Sequence, residues 1–258
     1  MNRAHTATES SVCVYQAQDM GFENLTIDLM YGMSEKLLGI TPTTHQNDED
    51  LWQQDLEKAV ALKIPHISAY NLTIEPQTAL GNWLKKGKIQ AVDEELSARQ
   101  LEQMIVYLSA NGFEQYEISN FAQNGQYAQH NSSYWKRHPY LGVGPSAHSF
   151  NGLSRQYNIA NNSLYIKSLS ERKLNFEIEI LSVFDQVNDY LLTSLRTIWG
   201  CDLGVIQSIS SIDFEEKHKN YLATFVNNGW LYIVENKMYL TTKGRFFADR
   251  IASDLFLV

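Results

Sequence analysis

One segment near the middle of the sequence concentrates side chains that can bind a ligand. It runs from His130 to Phe150 and contains HNSSYW, then His138 and Tyr140, then LGVGPSAHSF. A neutral imidazole is a competent metal ligand. Tyr and Trp rings can cover a flat ligand while their polar ends stay at its rim. Aromatic side chains also dominate ordinary cores, so residue types alone leave two interpretations open, a ligand site or packed core.

The composition fits one large domain or two medium ones and excludes several kinds of site. The 258 residues are 44% hydrophobic and carry a formal net charge of −8, which argues against a polyanion-binding surface across the whole molecule. The two cysteines, Cys13 and Cys201, form no CxxC or CxxxCxxC motif. This chain alone therefore cannot build a cysteine-ligated zinc or iron–sulfur site. We expect a reducing cytoplasm as its location and no membrane span.

Short apolar strands alternate with amphipathic helices in the first 160 residues. The predicted strands are LTIDLMYG, HISAYNLTIE, YEISNF and YLGVG. This alternation predicts parallel βα units, in which chemistry lies at the carboxyl ends of the strands. Four strands do not close a barrel, so the expected fold is α/β: a partial TIM-type (βα) barrel lacking its first strands, over residues 1–160. Polar residues to watch are Asp28, Tyr70, Asn71, Glu75, Asn120 and His148.

The pattern changes after residue 160. Residues 161–182 are interpreted as a connecting segment. Residues 183–258 contain helical stripes, a hairpin in GWLYIVENKMYLTTKG with its turn at Glu235 to Lys237, and a last helix. These elements predict a winged-helix-like α+β C-terminal domain. It carries seven Lys or Arg against nine Asp or Glu, and a nucleic-acid reader needs a clustered basic face, so nucleic-acid binding is not expected.

Seven motifs occur in a fixed order: Arg3-Ala4-His5, IDLMYG, HISAYNLTIEPQT, GFEQYEISNFA, HNSSYW, YLGVGPSAHSF and RQYN. Together they resemble the oxygen-independent coproporphyrinogen III oxidase family of radical SAM oxidoreductases, most closely its heme-chaperone branch, HemW. The resemblance covers nearly the whole chain, the tail included, and many motifs in one order are more specific than any single one. It implies S-adenosylmethionine, a [4Fe–4S] cluster, and heme or coproporphyrinogen as the tetrapyrrole partner.

The resemblance also implies roles for individual residues. Arg3 and Asp28 match positions that contact S-adenosylmethionine, where a carboxylate accepts hydrogen bonds and a guanidinium holds a carboxylate. His130 matches the histidine associated with heme in the chaperone branch, and Tyr134 and Trp135 would cover the macrocycle. The chemistry of the segment adds His148 as a residue facing a cofactor cavity. Arg155 and Asn158 of RQYN hold either a propionate or the chain's own loop, and the sequence does not choose between these.

The sequence departs from the family where the family is reactive. The CxxxCxxC loop and the glycine-rich segment after it are absent. Cys13 is predicted to lie in a helix as a small buried hydrophobe. Without a cluster there is no electron source to cleave S-adenosylmethionine, so this chain alone is expected to be catalytically incomplete. The chain resembles the C-terminal portion of a longer homologue, either a piece of an iron–sulfur protein or a remnant lacking the cluster.

Two functional classes follow. The first is a tetrapyrrole-associated protein of heme metabolism that at most binds heme. The alternative is a non-catalytic interaction protein that uses the winged-helix-like tail for partner docking. In either case an exposed strand edge invites pairing with another chain, and we expect a homodimer through Leu25–Tyr31.

Overall fold

The computed structural model describes residues 5–34, 37 and 47–258, and it divides into two compact units. The first unit is Met1–Ala128 and the second is Gln129–Val258. The sequence-based division at residue 160 therefore falls inside the second unit. None of the helices in the described ranges has the length and apolar character that crossing a membrane requires.

The described elements of the first unit alternate between helices and strands. They are α1 (Ala7–Asp19), β1 (Thr26–Tyr31), α2 (Asp48–Ala61), β2 (His66–Asn71), α3 (Ala79–Lys85), α4 (Glu94–Ala110), β3 (Glu114–Glu117) and β4 (Asn120–Ala122). Their starts follow from the sequence, since Asn47 caps α2 and Asp93 caps α4 by accepting hydrogen bonds from backbone N–H groups three residues on.

The sheet of the first unit has the strand order β1-β2-β4-β3. β1 and β2 are parallel and α2 lies between them in the chain, which is the predicted βα unit. The rest of the sheet is antiparallel: β4 pairs with β2 and with β3. The predicted third strand, YEISNF, is thus a hairpin rather than one strand, because the chain turns at Ile118 and Ser119.

One face of this sheet packs against α2 and α4 to form the core of the unit. Trp52 and Leu56 of α2 and Met104 and Leu108 of α4 are buried there with Ile67 of β2. The helical residues recur at a spacing of four, which places them on one side of each helix. The other face of the sheet is consequently free to carry polar side chains.

The second unit contains two three-stranded antiparallel sheets, ordered β5-β6-β7 and β8-β10-β9. Its described elements are α5 (Gln129–Trp135), β5 (His148–Phe150), β6 (Ser154–Asn158), α6 (Asn162–Ser170), β7 (Phe176–Ile180), α7 (Val183–Ser194), β8 (Cys201–Asp202), α8 (Leu203–Ser210), α9 (Phe214–Lys217), α10 (Lys219–Asn227), β9 (Leu231–Val234), β10 (Lys237–Leu240), α11 (Thr242–Arg245) and α12 (Ala248–Asp254).

Two sequence predictions for this unit have clear outcomes. The hairpin β9–β10 is confirmed, with Glu235 and Asn236 both at positive φ, as a two-residue hairpin turn requires. The predicted strand YLGVG is wrong, since only Tyr140 pairs, in a single bridge to Phe150. Gly142 and Gly144 of this run form a turn instead of part of a buried strand. A Cβ on Gly142 would lie 2.1 Å from the His148 carbonyl oxygen, and Gly144 has a φ of +113°.

Candidate functional site

The polar face of the first unit's sheet carries a chain of hydrogen bonds. Thr26 Oγ1 lies 2.7 Å from Nδ1 of His66, and Nε2 of His66 lies 2.8 Å from the Tyr116 hydroxyl. That hydroxyl accepts from the Ala128 N–H, so its own proton can go to His66. Burial lowers the pKa of His66 and outweighs the opposing charge of Asp28. Burial also raises the pKa of Tyr116 to about 12.

A second polar row crosses the same face. Asp28 stands opposite Ser68, and Ser68 stands opposite Asn120. The Ser68 hydroxyl donates to Asn120 Oδ1 (3.1 Å), and Asn120 Nδ2 donates to Glu117 Oε2 (2.5 Å). The same Glu117 oxygen accepts from the Ser119 N–H (2.9 Å). Three of these four side chains are buried and hold one another in fixed orientations.

Asp28 differs from the rest of its row because it is exposed. Among the residues that the structure describes, no hydrogen bond or ion pair engages its carboxylate. Its carboxylate is therefore not occupied by backbone N–H groups within the described residues. Tyr70 and Asn71 are exposed at the carboxyl end of the neighbouring strand, and Glu75 is exposed beyond it. Arg3, the other residue expected to contact S-adenosylmethionine, lies outside the described residues.

The aromatic segment of the second unit begins on the short helix α5. His130 and Tyr134 are four residues apart, so they share one face of the helix, and their rings meet edge to face with centroids 4.9 Å apart. Tyr134 in turn meets Tyr140 edge to face at 4.8 Å, and Tyr140 lies 6.1 Å from Phe150. His130 is exposed, and Tyr134 is 39% exposed. The rings of Tyr134, Tyr140 and Phe150 thus form a row, called here the wall of rings, and the exposed imidazole of His130 lies at one end of it.

Trp135 does not join this wall. It follows Tyr134 by one residue and faces another side of the helix, where the Arg196 guanidinium lies 5.4 Å from its ring. Arg196 Nη1 also contacts Asp249 at 2.7 Å. The Trp135 Nε1–H is buried, and no acceptor for it occurs in the described chain. Of the three residues expected at the macrocycle, the structure brings together His130 and Tyr134.

Contacts within the chain engage both Arg155 and Asn158 of RQYN, whose roles the sequence left open. The Asn158 amide donates to the carbonyls of Gly144 (2.9 Å) and Gly142 (3.4 Å), so it holds the glycine turn. The Arg155 guanidinium pairs with Glu179 (3.3 Å) and also with Asp189. Arg137 stands over the Phe150 ring at 5.5 Å, and Nη1 of Arg137 donates to the Gln186 carbonyl. Burial lowers the pKa of Arg137.

His148 lines a cavity of about 410 Å³ within the second unit. Its ring lies 5.2 Å from that of Tyr157, which stands opposite it on β6. Glu177 stands opposite Tyr157 on β7, so imidazole, phenol and carboxylate form a row across the sheet. His148 is exposed on the strand that follows the glycine turn.

The cysteines do not form a metal site. Cys13 is exposed, so its interpretation as a buried hydrophobe is wrong: helix α1 buries none of its side chains. Cys201 is buried, and burial raises the pKa of its thiol to about 12, which disfavours the thiolate that binds metal. In residues 5–34, 37 and 47–258, no group of three His, Cys, Asp or Glu side chains is arranged to hold a metal ion.

Reasoning from sequence missed the buried members of the polar face. His66, Tyr116 and Glu117 were not singled out because they sit inside apolar strands and show no motif spacing. The alternation HIS in β2, polar–apolar–polar, is the signal that could have identified the face.

Comparisons with known proteins find relatives that match nearly the whole chain. No model of a known protein family matches the chain. The heme chaperone HemW of Lactococcus lactis is 27% identical over 95% of this chain and 61% of its own length. That of Bacillus subtilis is 26% identical over 97% of this chain and 64% of its own. Coproporphyrinogen III oxidase (HemN) from Escherichia coli, a radical SAM enzyme, superposes with a TM-score of 0.76 at 18% identity, over 99% of this chain and 60% of that one.

The chain therefore has an α/β fold similar to that of this coproporphyrinogen III oxidase. The chain is thus similar to proteins of the HemN/HemW family, among them relatives named heme chaperones. It spans about three fifths of the length of the curated relatives it matches. The family implies S-adenosylmethionine and a [4Fe–4S] cluster. Two cysteines, one exposed and one buried, do not supply the three thiolates that such a cluster takes, so the residues present do not fit it.

Proposed function

We propose that this chain binds heme through His130, as the relatives named heme chaperones suggest. The observation that carries the proposal is the exposed imidazole of His130 set edge to face against Tyr134 at the end of a wall of rings. An imidazole nitrogen is an axial ligand for heme iron, and the rings offer apolar surface to the macrocycle. An accessible ligand on a short helix also suits a cargo that must be released.

Heme titration tests this proposal. His130→Ala should change the position of the Soret band and weaken heme affinity at least tenfold. His138→Ala is the matched control, because His138 is also exposed and lies only eight residues away. Tyr134→Leu should keep the ligand and weaken affinity about three- to tenfold, the contribution of an aromatic contact. An unchanged Soret band and affinity in His130→Ala would remove His130 as the ligand.

S-adenosylmethionine binding by Asp28 is the second part of the proposal. A carboxylate that is exposed on the polar sheet face, with no partner in the described chain, suits the hydroxyl or ammonium groups of that molecule. Asp28→Asn should weaken binding of S-adenosylmethionine in calorimetry, while Asp19→Asn, an exposed acid at the end of α1, should not. Equal affinities of the two variants would exclude the assignment.

We further propose that this chain by itself performs no radical chemistry. On this proposal the fold contributes part of a TIM-type barrel and a winged-helix-like tail, while its two cysteines do not supply the three thiolates of a cluster. Reconstitution of the purified chain with iron and sulfide should therefore give no stoichiometric [4Fe–4S] centre. A stable centre with four irons per chain would contradict this. The alternative, a protein that docks partners through its tail, predicts no saturable heme binding at all.

A further inference from the structure

The outermost strand β7, residues Phe176–Ile180, has a free backbone edge. It pairs with β6 on one side, and no strand of the described residues pairs with it on the other. The Leu181 N–H donates to Leu153 and the Ile159 N–H donates to Asn175, at the two ends of the β6–β7 ladder. In an antiparallel ladder the bonded pairs alternate, so Glu177 and Glu179 face β6. The backbone groups of Phe176, Ile178 and Ile180 therefore point away from the sheet.

The side chains of β7 sort into two chemically distinct faces. Ile178 and Ile180 project to one face and are 55% and 75% exposed. Glu177 and Glu179 project to the opposite face. The strand FEIEI thus offers an apolar face, an acidic face and a row of unbonded backbone groups along one edge.

We propose that this edge binds an extended segment of a partner protein in which apolar residues alternate with Lys or Arg. Such a segment would add a fourth strand to the sheet through main-chain hydrogen bonds, and pockets for alternate side chains would give specificity. Its apolar side chains extend the surface of Ile178 and Ile180. Its basic side chains stand opposite Glu177, which has no ion pair within the described chain, and Glu179, which also pairs with Arg155 at 3.3 Å. Opposite charges across neighbouring strands are favourable.

A second copy of the chain fits the same edge poorly. Two β7 strands related by a two-fold axis pair antiparallel, and directly opposite residues then lie on the same face of the combined sheet. The register that pairs all five residues sets Glu177 against Glu179 of the other copy, and a shift by two residues sets Glu177 or Glu179 against its own copy. Like charges directly opposite are destabilising. The charge pattern of β7 thus selects a basic partner strand over itself.

Two blocked heptapeptides test the proposal on the full chain, the basic TKVKVKT and the acidic TEVEVET. The basic peptide should slow amide hydrogen exchange at Ile178 and Ile180, whose N–H groups point outward. The acidic peptide should bind about tenfold more weakly, because it replaces attraction by repulsion at each charged position. Glu177→Lys should weaken the basic peptide about fivefold or more and improve the acidic one.

Ile178→Pro isolates the backbone contribution. Proline removes only an outward N–H here, and edge strands tolerate proline at such positions. This variant should abolish protection by the basic peptide, whereas Ile178→Thr, which keeps the N–H, should retain it. Equal binding of both peptides, binding that survives Ile178→Pro, no protection at β7, or concentration-dependent self-association through β7 would each overturn the proposal.

Discussion

The sheet of the first unit and the β5-β6-β7 sheet of the second distribute their side chains in opposite ways. The first sheet buries polar groups, among them His66, Ser68, Asn120 and Glu117, in a network of hydrogen bonds. The second exposes large apolar side chains on β7. A fold stabilised only by its own packing would bury the apolar side chains and expose the polar ones. Both departures indicate surfaces shaped for something other than the fold's own stability.

The two departures have different physical consequences. A buried carboxylate such as Glu117 is tolerated only because its partners replace the water it lost, which fixes the positions of the whole row. Exposed isoleucines cost the fold little and require no precise geometry. The first sheet is thus a rigid site, while the second is an adaptable docking surface.

The largest expected effect comes from matched isoleucine truncations in the two sheets. Ile67→Ala removes a fully buried side chain between α2 and α4 and should lower the free energy of unfolding by about 3–4 kcal/mol. Ile180→Ala removes an exposed side chain and should change it by less than about 0.5 kcal/mol. Urea denaturation measures both. Equal losses would mean that β7 is buried in solution, and the contrast between the sheets would fail.

Matched glutamate substitutions give the next largest difference. Glu117→Leu removes the acceptor of the Ser119 N–H and the Asn120 amide, and should cost about 2–3 kcal/mol in urea denaturation. Glu177→Leu, at an exposed position on β7, should be within about 0.5 kcal/mol of the parent chain. A neutral Glu117→Leu would show that the polar row is not a cooperative network.

The sequence predicted what depends on local pattern and missed what depends on long-range pairing. The spacing of four between Met104 and Leu108 is a local signal for helix α4 and its buried side. The turn at Glu235 to Lys237 likewise identified the β9–β10 hairpin. YEISNF could not be resolved into a hairpin, because its turn is stabilised by Glu117 accepting from Ser119, a contact with no composition signal. Similarly, HNSSYW predicted that Tyr134 and Trp135 cover one macrocycle beside His130. The structure turns Trp135 to another side of the helix, beside Arg196, which lies sixty-one residues away in the chain.

Two glycines beside the two sheets differ in the space around them. Gly32, just after β1, has a φ of +79°, and a Cβ there would lie 2.3 Å from Asn71 Oδ1 and 2.8 Å from Ser97 Oγ. Gly152, between β5 and β6, has a φ of +96° but nothing within 4 Å of its Cβ position. Gly152→Ala should cost about 1–2 kcal/mol from backbone strain alone. Gly32→Ala should cost more in thermal unfolding because the overlap is added, and a reversed order would contradict the packed geometry after β1.

The smallest expected effect is on the pH dependence of stability, which should differ between the two units when one histidine is replaced. Burial lowers the pKa of His66 in the first unit and, together with Lys217, that of His218 in the second. The folded pKa then lies below the unfolded value near 6.5, so the unfolded state takes up the proton first. Stability from each histidine is complete above pH 6.5 and is lost as the pH falls toward the folded pKa, by at most about 1.4 kcal/mol per pH unit for one proton.

Hydrogen exchange can follow the backbone amides of Ile67 and Phe121 beside His66, and those of Leu222 and Phe225 on the helix that begins after His218. In His66→Gln the acid sensitivity should disappear at the first pair and persist at the second. If both pairs lost it together, the two units would unfold as one, and their contrast would be one of surface chemistry alone.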